Sequence, residues 1–252
     1  MNIKKMVGDK KATEKKTITR VDVVKGIVKQ FEDDVVVETS IHLYVNNKFY
    51  TFFTCSPIKI REMIIGNLLS QNVICKLDEI RCLKKREGKV IVKLEQNYKS
   101  LPCANVCEEL GKDFYPLLLS SEMILNSADE LGVKASVFRR SGGTHAAGLF
   151  SVEGNLILFS EDIGRYNAVD KVIGEAALKG IDLQKTFLTI SGRVTSGIIT
   201  KAANTNIPIV VSVSAPTDKA IEAAENAGIT LVGFARDKRF NVYSHPERIK
   251  LV

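Results

Sequence analysis

The sequence predicts an α/β protein: an α/β domain in the C-terminal half joined to a smaller, β-rich N-terminal domain. From about residue 136 onward, apolar β-branched runs alternate with amphipathic stretches closed by glycine. That is the pattern of successive βα units. Before residue 98, several strand-like runs follow one another with one helix among them. Between the halves, residues 99–115 shift to a polar stretch that carries two cysteines. The expected organisation is therefore a basic flexible tail over 1–16, a small α+β domain over 17–98, a linker over 99–115 and an α/β domain over 116–252.

In the first half, residues 17–27, 35–45 and 48–53 alternate as strands, and Asn46-Asn47 supplies the turn joining the last two. Pro57 opens a helix running to Leu69, with Ile60, Ile64, Ile65, Leu68 and Leu69 on one face. Residues 73–83 and 90–94 read as strands around Glu87-Gly88. In the second half, Pro116 starts a helix that ends at Gly132. Residues 136–140 and 156–160 read as strands. Residues 163–178 form a helix with Val169, Val172, Ile173, Ala176 and Ala177 on one stripe, closed by Gly180. Strands at 186–191, 207–214 and 229–235 alternate with helices at 194–203 and 216–227. This succession predicts a mostly parallel sheet.

Composition bounds the partners. The chain has 252 residues, 45% hydrophobic and 26% charged, enough to bury a core without disulfides or a structural metal. No apolar run reaches the length of a membrane helix, and no signal peptide is visible, so the cytoplasm is the expected location and no membrane the expected partner. The net charge is +7, but Lys4, Lys5, Lys10, Lys11, Lys15, Lys16 and Arg20 against Asp9 and Glu14 place +5 of it in the first twenty residues. The body is nearly neutral and has no Trp, which argues against a nucleic-acid-binding domain. The basic end reads as a solvated tail, with a docking arm for an acidic partner as the alternative.

The five cysteines are an odd number for a disulfide framework. Cys55, Cys75 and Cys82 sit in strand-like sequence and read as small buried hydrophobes. Cys103 and Cys107 lie in the polar linker, spaced C-x-x-x-C. No second Cys or His pair completes a zinc site. A zinc deaminase is excluded too: Pro102-Cys103 precedes His145, and Ala147 stands where the glutamate belongs. Thiol chemistry remains, against the alternative of two ordinary surface cysteines.

In open α/β sheets ligands sit beyond the carboxyl ends of the strands. Those turns here are small, polar and basic: Glu161 to Arg165, Ser191 to Gly197, Ser214 to Lys219 and Arg236 to Arg239. Any one of them reads as simple helix capping. Several on one edge, each with Arg or Lys, point to an anionic ligand such as a nucleotide. The loop Arg139-Arg140-Ser141-Gly142-Gly143-Thr144-His145 adds a second small-residue turn. His145 reads there as a general base, a ligand contact or a structural hydrogen-bonder. His42 and His245 receive no role.

Five motifs then carry a resemblance. Ser141-Gly-Gly-Thr-His-Ala-Ala147, Glu161-Asp-Ile-Gly-Arg-Tyr-Asn-Ala-Val-Asp-Lys171, Ser191-Gly-Arg-Val-Thr-Ser-Gly197, Ser214-Ala-Pro-Thr-Asp218 and Gly233-Phe-Ala-Arg with Asn241-Val-Tyr-Ser-His-Pro246 resemble, in order and spacing, the FdhD family of formate dehydrogenase accessory sulfurtransferases. The resemblance spans about residues 17–250. It implies a cytidine-deaminase-like α/β domain with a smaller N-terminal part, and a homodimer. It implies a sulfur carrier rather than a multiple-turnover metabolic enzyme. Sulfur passes as a cysteine persulfide from a cysteine desulfurase to the molybdenum or tungsten bis-molybdopterin guanine dinucleotide cofactor that formate dehydrogenase needs.

The catalytic thiols implied are Cys107 and Cys103. The cofactor-binding residues implied are the segment Phe234, Ala235, Arg236, Asp237, Lys238 and Arg239, with Ser191, Gly192, Arg193, Thr195, Ser196, Ser214, Thr217 and Asp218, and with Gly142, Gly143, Thr144 and His145 lining the same crevice. The family's usual cysteine spacing is C-x-x-C. Alignment from the C-terminal side places Cys107 on the second family cysteine and Ala104 on the first, whereas a one-residue insertion restores both. Tyr166 stands where many members have histidine. The rival reading is a cofactor-binding chaperone that delivers the cofactor without donating sulfur.

Overall fold

The computed structural model describes residues 11–86, 88–95 and 117–250. The linker, with Cys103, Cys107 and Pro116, and the first ten residues lie outside the described residues.

The chain opens with an antiparallel hairpin, β1 (Thr13–Asp22) and β2 (Ile27–Val36), in continuous register from Thr13 opposite Val36 to Asp22 opposite Ile27. The tail expected over 1–16 therefore gives way to strand at Thr13. Basic residues of β1 meet acids of β2: Lys15 pairs with Asp34 at 3.0 Å and Arg20 with Asp33 at 3.8 Å. Opposite charges facing each other across a ladder favour strand over solvated coil. The run read at 35–45 breaks after Val36, and β3 (Thr39–Val45) joins a different sheet.

That sheet has four strands in the order β4-β3-β6-β5, with β4 (Lys48–Cys55), β5 (Ile80–Arg86) and β6 (Lys89–Leu94). Asn46 and Asn47 both adopt left-handed φ, 48° and 65°, and make the two-residue turn between β3 and β4. The strand read at 73–83 is mostly irregular and starts only at Ile80. Helix α1 (Ile60–Ser70) packs Met63, Ile64 and Leu68 against Ile41, Leu43, Val90 and Val92 of the sheet.

The second sheet has six strands in the order β13-β12-β11-β10-β8-β9. In chain order its region runs β7 (Leu119–Ser120), α2 (Ser121–Lys134), α3 (Ser136–Ser141), β8 (His145–Ser151), β9 (Leu156–Asp162), α4 (Arg165–Lys179), β10 (Thr186–Ile190), α5 (Ser196–Asn204), β11 (Ile209–Ser212), α6 (Asp218–Asn226), β12 (Thr230–Arg236), β13 (Arg239–Ser244) and β14 (Ile249–Lys250). The sheet is mixed, not mostly parallel: only β10–β11 and β11–β12 are parallel. The difference comes from tight hairpins. β12 turns into β13 through Asp237 and Lys238, both left-handed, and β8 turns straight into β9.

Strand alternation sorts the core into two layers. Leu188, Ile190, Val210 and Leu231 face α4, α5 and α6, while Phe187, Ile209, Val211 and Val232 face α2. Helix α2 starts at its Ser120 cap, which accepts from Met123 N, and runs through Gly132 to Lys134. Residues 136–140, read as a strand, are helix α3. Its first amides, Val137 N and Phe138 N, donate to the buried Glu161 carboxylate at 3.0 and 2.8 Å. A cap supplied from another strand overrides the local β-propensity.

The helices α4, α5 and α6 end alike. After α4, Ile181 N bonds Ala176 O and Gly180 N bonds Ala177 O. The same pair of bonds closes α5 at Asn206–Ile207 and α6 at Gly228–Ile229. This closure turns the chain directly toward the next strand.

The two sheets are joined by a crossing of α1 with α4 at glycines. A Cβ on Gly66 would lie 1.8 Å from Asp170 O, and one on Gly174 would lie 1.9 Å from Glu62 O. Two ion pairs are buried beside this crossing: Asp162 with Lys171 at 2.5 Å and Asp170 with Lys201 at 2.7 Å. Both are hydrogen-bonded to the N-terminal region, Asp162 to Ser56 N and Asp170 to Ser70 and Asn67.

Candidate functional site

Three loops meet at the carboxyl ends of β10, β11 and β12. They are fastened to one another by main-chain bonds. Val194 N donates to Ala215 O and Thr217 N to Val194 O, at 3.1 and 2.9 Å. Phe234 N donates to Ser214 O at 3.1 Å, and Ser212 Oγ donates to Gly192 O at 2.8 Å. Ser191 is tied to β8 on both sides: its N donates to Ala146 O and its hydroxyl accepts from Ala146 N. Residues predicted from separate sequence motifs thus share one rigid edge.

Because β8 and β9 run antiparallel to their neighbours, His145 at the start of β8 and Asp162 at the end of β9 reach the same edge, opposite each other in register. Gly192 lies between His145 and Arg165. An added Cβ there would come within 3.1 Å of His145 Nδ1 and 3.2 Å of Arg165 Cβ. Only glycine lets the two side chains flank the loop this closely.

The electrostatics are positive. Arg165 and Arg193 make no ion pair among the described residues, and Arg165 Nε is buried without a hydrogen-bond partner. Burial first, then the Arg165 guanidinium, hold the His145 imidazole below its ordinary pKa, and Asp162 opposes them in part. The amino termini of α4 and α5 also face this region, and no side chain of their cap residues, Gly164 and Thr195, caps them. The Thr195 hydroxyl is bonded instead to the Tyr166 hydroxyl. Uncapped helix amides with unpaired guanidinium groups form a cradle for an anion.

The other carboxylate of the pair is structural. Glu161 is buried, caps α3 and accepts from the Thr144 hydroxyl at 2.9 Å. Asp162 accepts from Ser56 N, Gly164 N, Asn167 Nδ2 and Lys171 Nζ. It fixes the start of α4 and the entry to α1 together.

Half of the expected binding residues converge here: Ser191, Gly192, Arg193, Thr195, Ser196, Ser214, Thr217, Phe234 and His145. The Thr217 hydroxyl is committed to capping α6 through Ala220 N, and Asp218 is an exposed first-turn residue. Arg236, Asp237, Lys238 and Arg239 form the exposed tip of the β12–β13 hairpin beside the crevice. Ala235 is buried in the core and offers no polar group.

The exceptions are Gly142, Gly143 and Thr144, expected to line the crevice. Gly143 packs on Val36 of β2, Gly142 ends α3, and Thr144 is buried on Glu161. Their small size serves the seam between α3 and the hairpin. Arg165, read from the sequence in the basic turn Glu161 to Arg165, stands at this edge, and Tyr166, to which sequence reasoning gave no binding role, stands beside it. The signal was an Arg-aromatic pair directly after a helix-starting glycine.

Among the other cysteines, Cys55 is buried and its thiol is pushed up to about 12, by burial first and then Asp162. Cys82 is half-buried and free. Cys75, read as a buried hydrophobe, is exposed and is not a free thiol. Two cavities lie away from this crevice: about 880 Å³ between the hairpin base and Arg140, and about 320 Å³ among the ends of α1, α4 and α5. Its chemistry singles out the strand-end crevice.

Fold and crevice together define a mixed α/β protein with a cationic crevice at its strand ends. The FdhD/NarQ family profile matches residues 36–250, and the chain belongs to that family. It is 37% identical to the sulfur carrier protein FdhD of Sulfolobus acidocaldarius, over 87% of this chain and 92% of that one. It is 51% identical to the protein of the same name from Thermoplasma acidophilum, over 77% of each. The crystal structure of a chain assigned as a formate dehydrogenase accessory protein from Desulfotalea psychrophila superposes with a TM-score of 0.81 at 26% identity, covering 95% of this chain and all of that one.

Proposed function

We propose that this protein is a sulfur carrier for formate dehydrogenase. It accepts sulfane sulfur from a cysteine desulfurase and passes it to the metal of a molybdenum or tungsten bis-molybdopterin guanine dinucleotide, before that cofactor is inserted. The observation that carries the reading is the crevice: unpaired Arg165 and Arg193 beside two helix amino termini suit the phosphates of such a cargo. The names of the relatives supply the sulfur-carrier half.

In the loading step the thiolate of Cys107 or Cys103 attacks the terminal sulfur of the donor's persulfide. The donor's S–S bond breaks, its thiolate leaves, and a new S–S bond forms on this chain. The crevice holds the nucleotide part of the cargo meanwhile. Ser191, Ser196, Ser214 and the loop amides present donors, and Arg193, Arg236 and Arg239 supply charge. The protein acts in the cytoplasm as a homodimer.

Replacing both cysteines, Cys103→Ala and Cys107→Ala, separates the two roles. Sulfur loading is lost, while binding of guanosine diphosphate, measured by calorimetry, is unchanged. Loss of both together refutes the division of labour. Full client activation by the double variant establishes instead a chaperone that delivers the cofactor without donating sulfur.

A further inference from the structure

The four-stranded sheet packs α1 on one face and leaves the other exposed. Two transverse rows of side chains cross that outer face. Phe52, His42, Lys89 and Arg86 are successive partners in one row, and Phe49, Tyr44, Ile91 and Lys84 in the next. Each row runs from aromatic on β4 and β3 to basic on β5. Phe52 is 63% exposed and Phe49 56%. The Phe49 ring lies 5.8 Å from Tyr44 and 6.4 Å from His42, centre to centre. This is a contiguous apolar patch, not scattered exposure.

The charge is one-sided. The four strands contain Lys48, Arg81, Lys84, Lys85, Arg86, Lys89 and Lys93 and no Asp or Glu. Of these, only Arg81 makes an ion pair among the described residues. A body that is nearly neutral as a whole has gathered its excess charge on this sheet. An apolar centre flanked by unpaired cations is complementary to a protein surface with carboxylates around apolar side chains.

We propose that this face docks the sulfur-donating protein, and that the donor meets it with such an acidic, apolar-centred surface. The proposal rests on the sulfur-carrier reading. Its link to sulfur transfer is the path of the chain. Strand β6 ends at Leu94, whose N is held by the Asn46 side chain in the β3–β4 turn, at the Phe49 end of the patch. Cys103 follows Glu95 by eight residues, a reach of at most about 28 Å. A chain of that length lets Cys103 reach a donor seated on the patch.

The segregation of the patch argues for a protein and against single-stranded nucleic acid. Base stacking along a charged groove needs aromatics interleaved with cations. Here the aromatics lie on β4 and β3 and most of the cations on β5 and β6, up to three strand spacings apart, roughly 14 Å.

The test compares two sources of sulfur on the full chain. One is a purified cysteine desulfurase with L-cysteine; the other is inorganic polysulfide. The readout is the rate of sulfur gain on the Cys103–Cys107 peptide by mass spectrometry. In the variant K84E/R86E/K89E, desulfurase-driven loading falls at least about tenfold and loses its salt dependence, while polysulfide loading is unchanged. The variant F49S/F52S slows desulfurase-driven loading as well, and so tests the apolar half without altering charge. Equal desulfurase-driven rates in wild type and both variants overturn the assignment. So does binding of a single-stranded oligonucleotide that the variants lose while loading stays normal. If wild type gains sulfur from neither source, the sulfur-carrier reading fails and this inference with it. Loading of wild type alone keeps the two failures distinct.

Discussion

Asp162→Asn should be the most damaging conservative substitution at the crevice. Asp162 and Lys171 are both fully buried, with Nζ 2.5 Å from Oδ2. Removing the carboxylate charge strands the Lys171 ammonium, whose other partner is Glu161 O at 3.2 Å. Breaking a buried pair from one side costs about 3–5 kcal/mol. The opposite deletion, Lys171→Met, leaves Asp162 with three N–H donors at 2.8–3.0 Å and costs less, about 1–3 kcal/mol. For a chain of this size Asp162→Asn lowers Tm by about 6–20 °C. The double variant, which leaves neither charge stranded, is more stable than Asp162→Asn alone. Urea unfolding followed by circular dichroism reads all three. A loss under about 1 kcal/mol for Asp162→Asn, or a larger loss for Lys171→Met, refutes the view that this pair is a load shared between the two sheets.

Three further outcomes follow from the packing and charge of the molecule. Gly66→Ala forces apart helices whose backbone would lie 1.8 Å from the new methyl and lowers stability by about 3 kcal/mol or more; Gly132→Ala, with open space at its Cβ, stabilises by up to about 1 kcal/mol, and urea midpoints compare them. The His145 pKa is depressed in the folded protein, so the unfolded chain takes up the proton first. Stability is therefore present above about pH 6.5 and declines as pH falls below it, a slope that His145→Gln reduces in thermal scans. Arg165→Met, which removes an unpaired guanidinium, weakens guanosine diphosphate binding about tenfold or more, with unfolding midpoints confirming an intact fold.

Much of this architecture was legible in the sequence wherever local chemistry and the fold agree. The Asn46-Asn47 turn, the glycine ends of α4 and α6 and the stripe Val169, Val172, Ile173, Ala176 all stand where their residues place them. What was misread depends on distant partners. Residues 136–140 are helical because Glu161 caps them from another strand. Thr13–Lys16 are strand because Asp34 and Asp33 stand opposite Lys15 and Lys16, and Val36 and Val35 opposite Thr13 and Glu14. The sheet is mixed because hairpins at its flanks pair antiparallel, which no single run reveals. The crevice was readable from four polar turns following strands. Its exclusions were not: Gly142, Gly143 and Thr144 look like a ligand loop until Val36 and Glu161 are seen beside them.

The central claim is that Cys103 or Cys107 carries sulfur. Intact-mass spectrometry after incubation with a cysteine desulfurase and L-cysteine, followed by peptide mapping, tests it most directly. The account predicts a reducible gain of one sulfur atom on Cys103 or Cys107 and none on buried Cys55. No gain at either thiol, with the desulfurase shown active on another acceptor, contradicts the account and leaves a protein that binds the cofactor without supplying its sulfur.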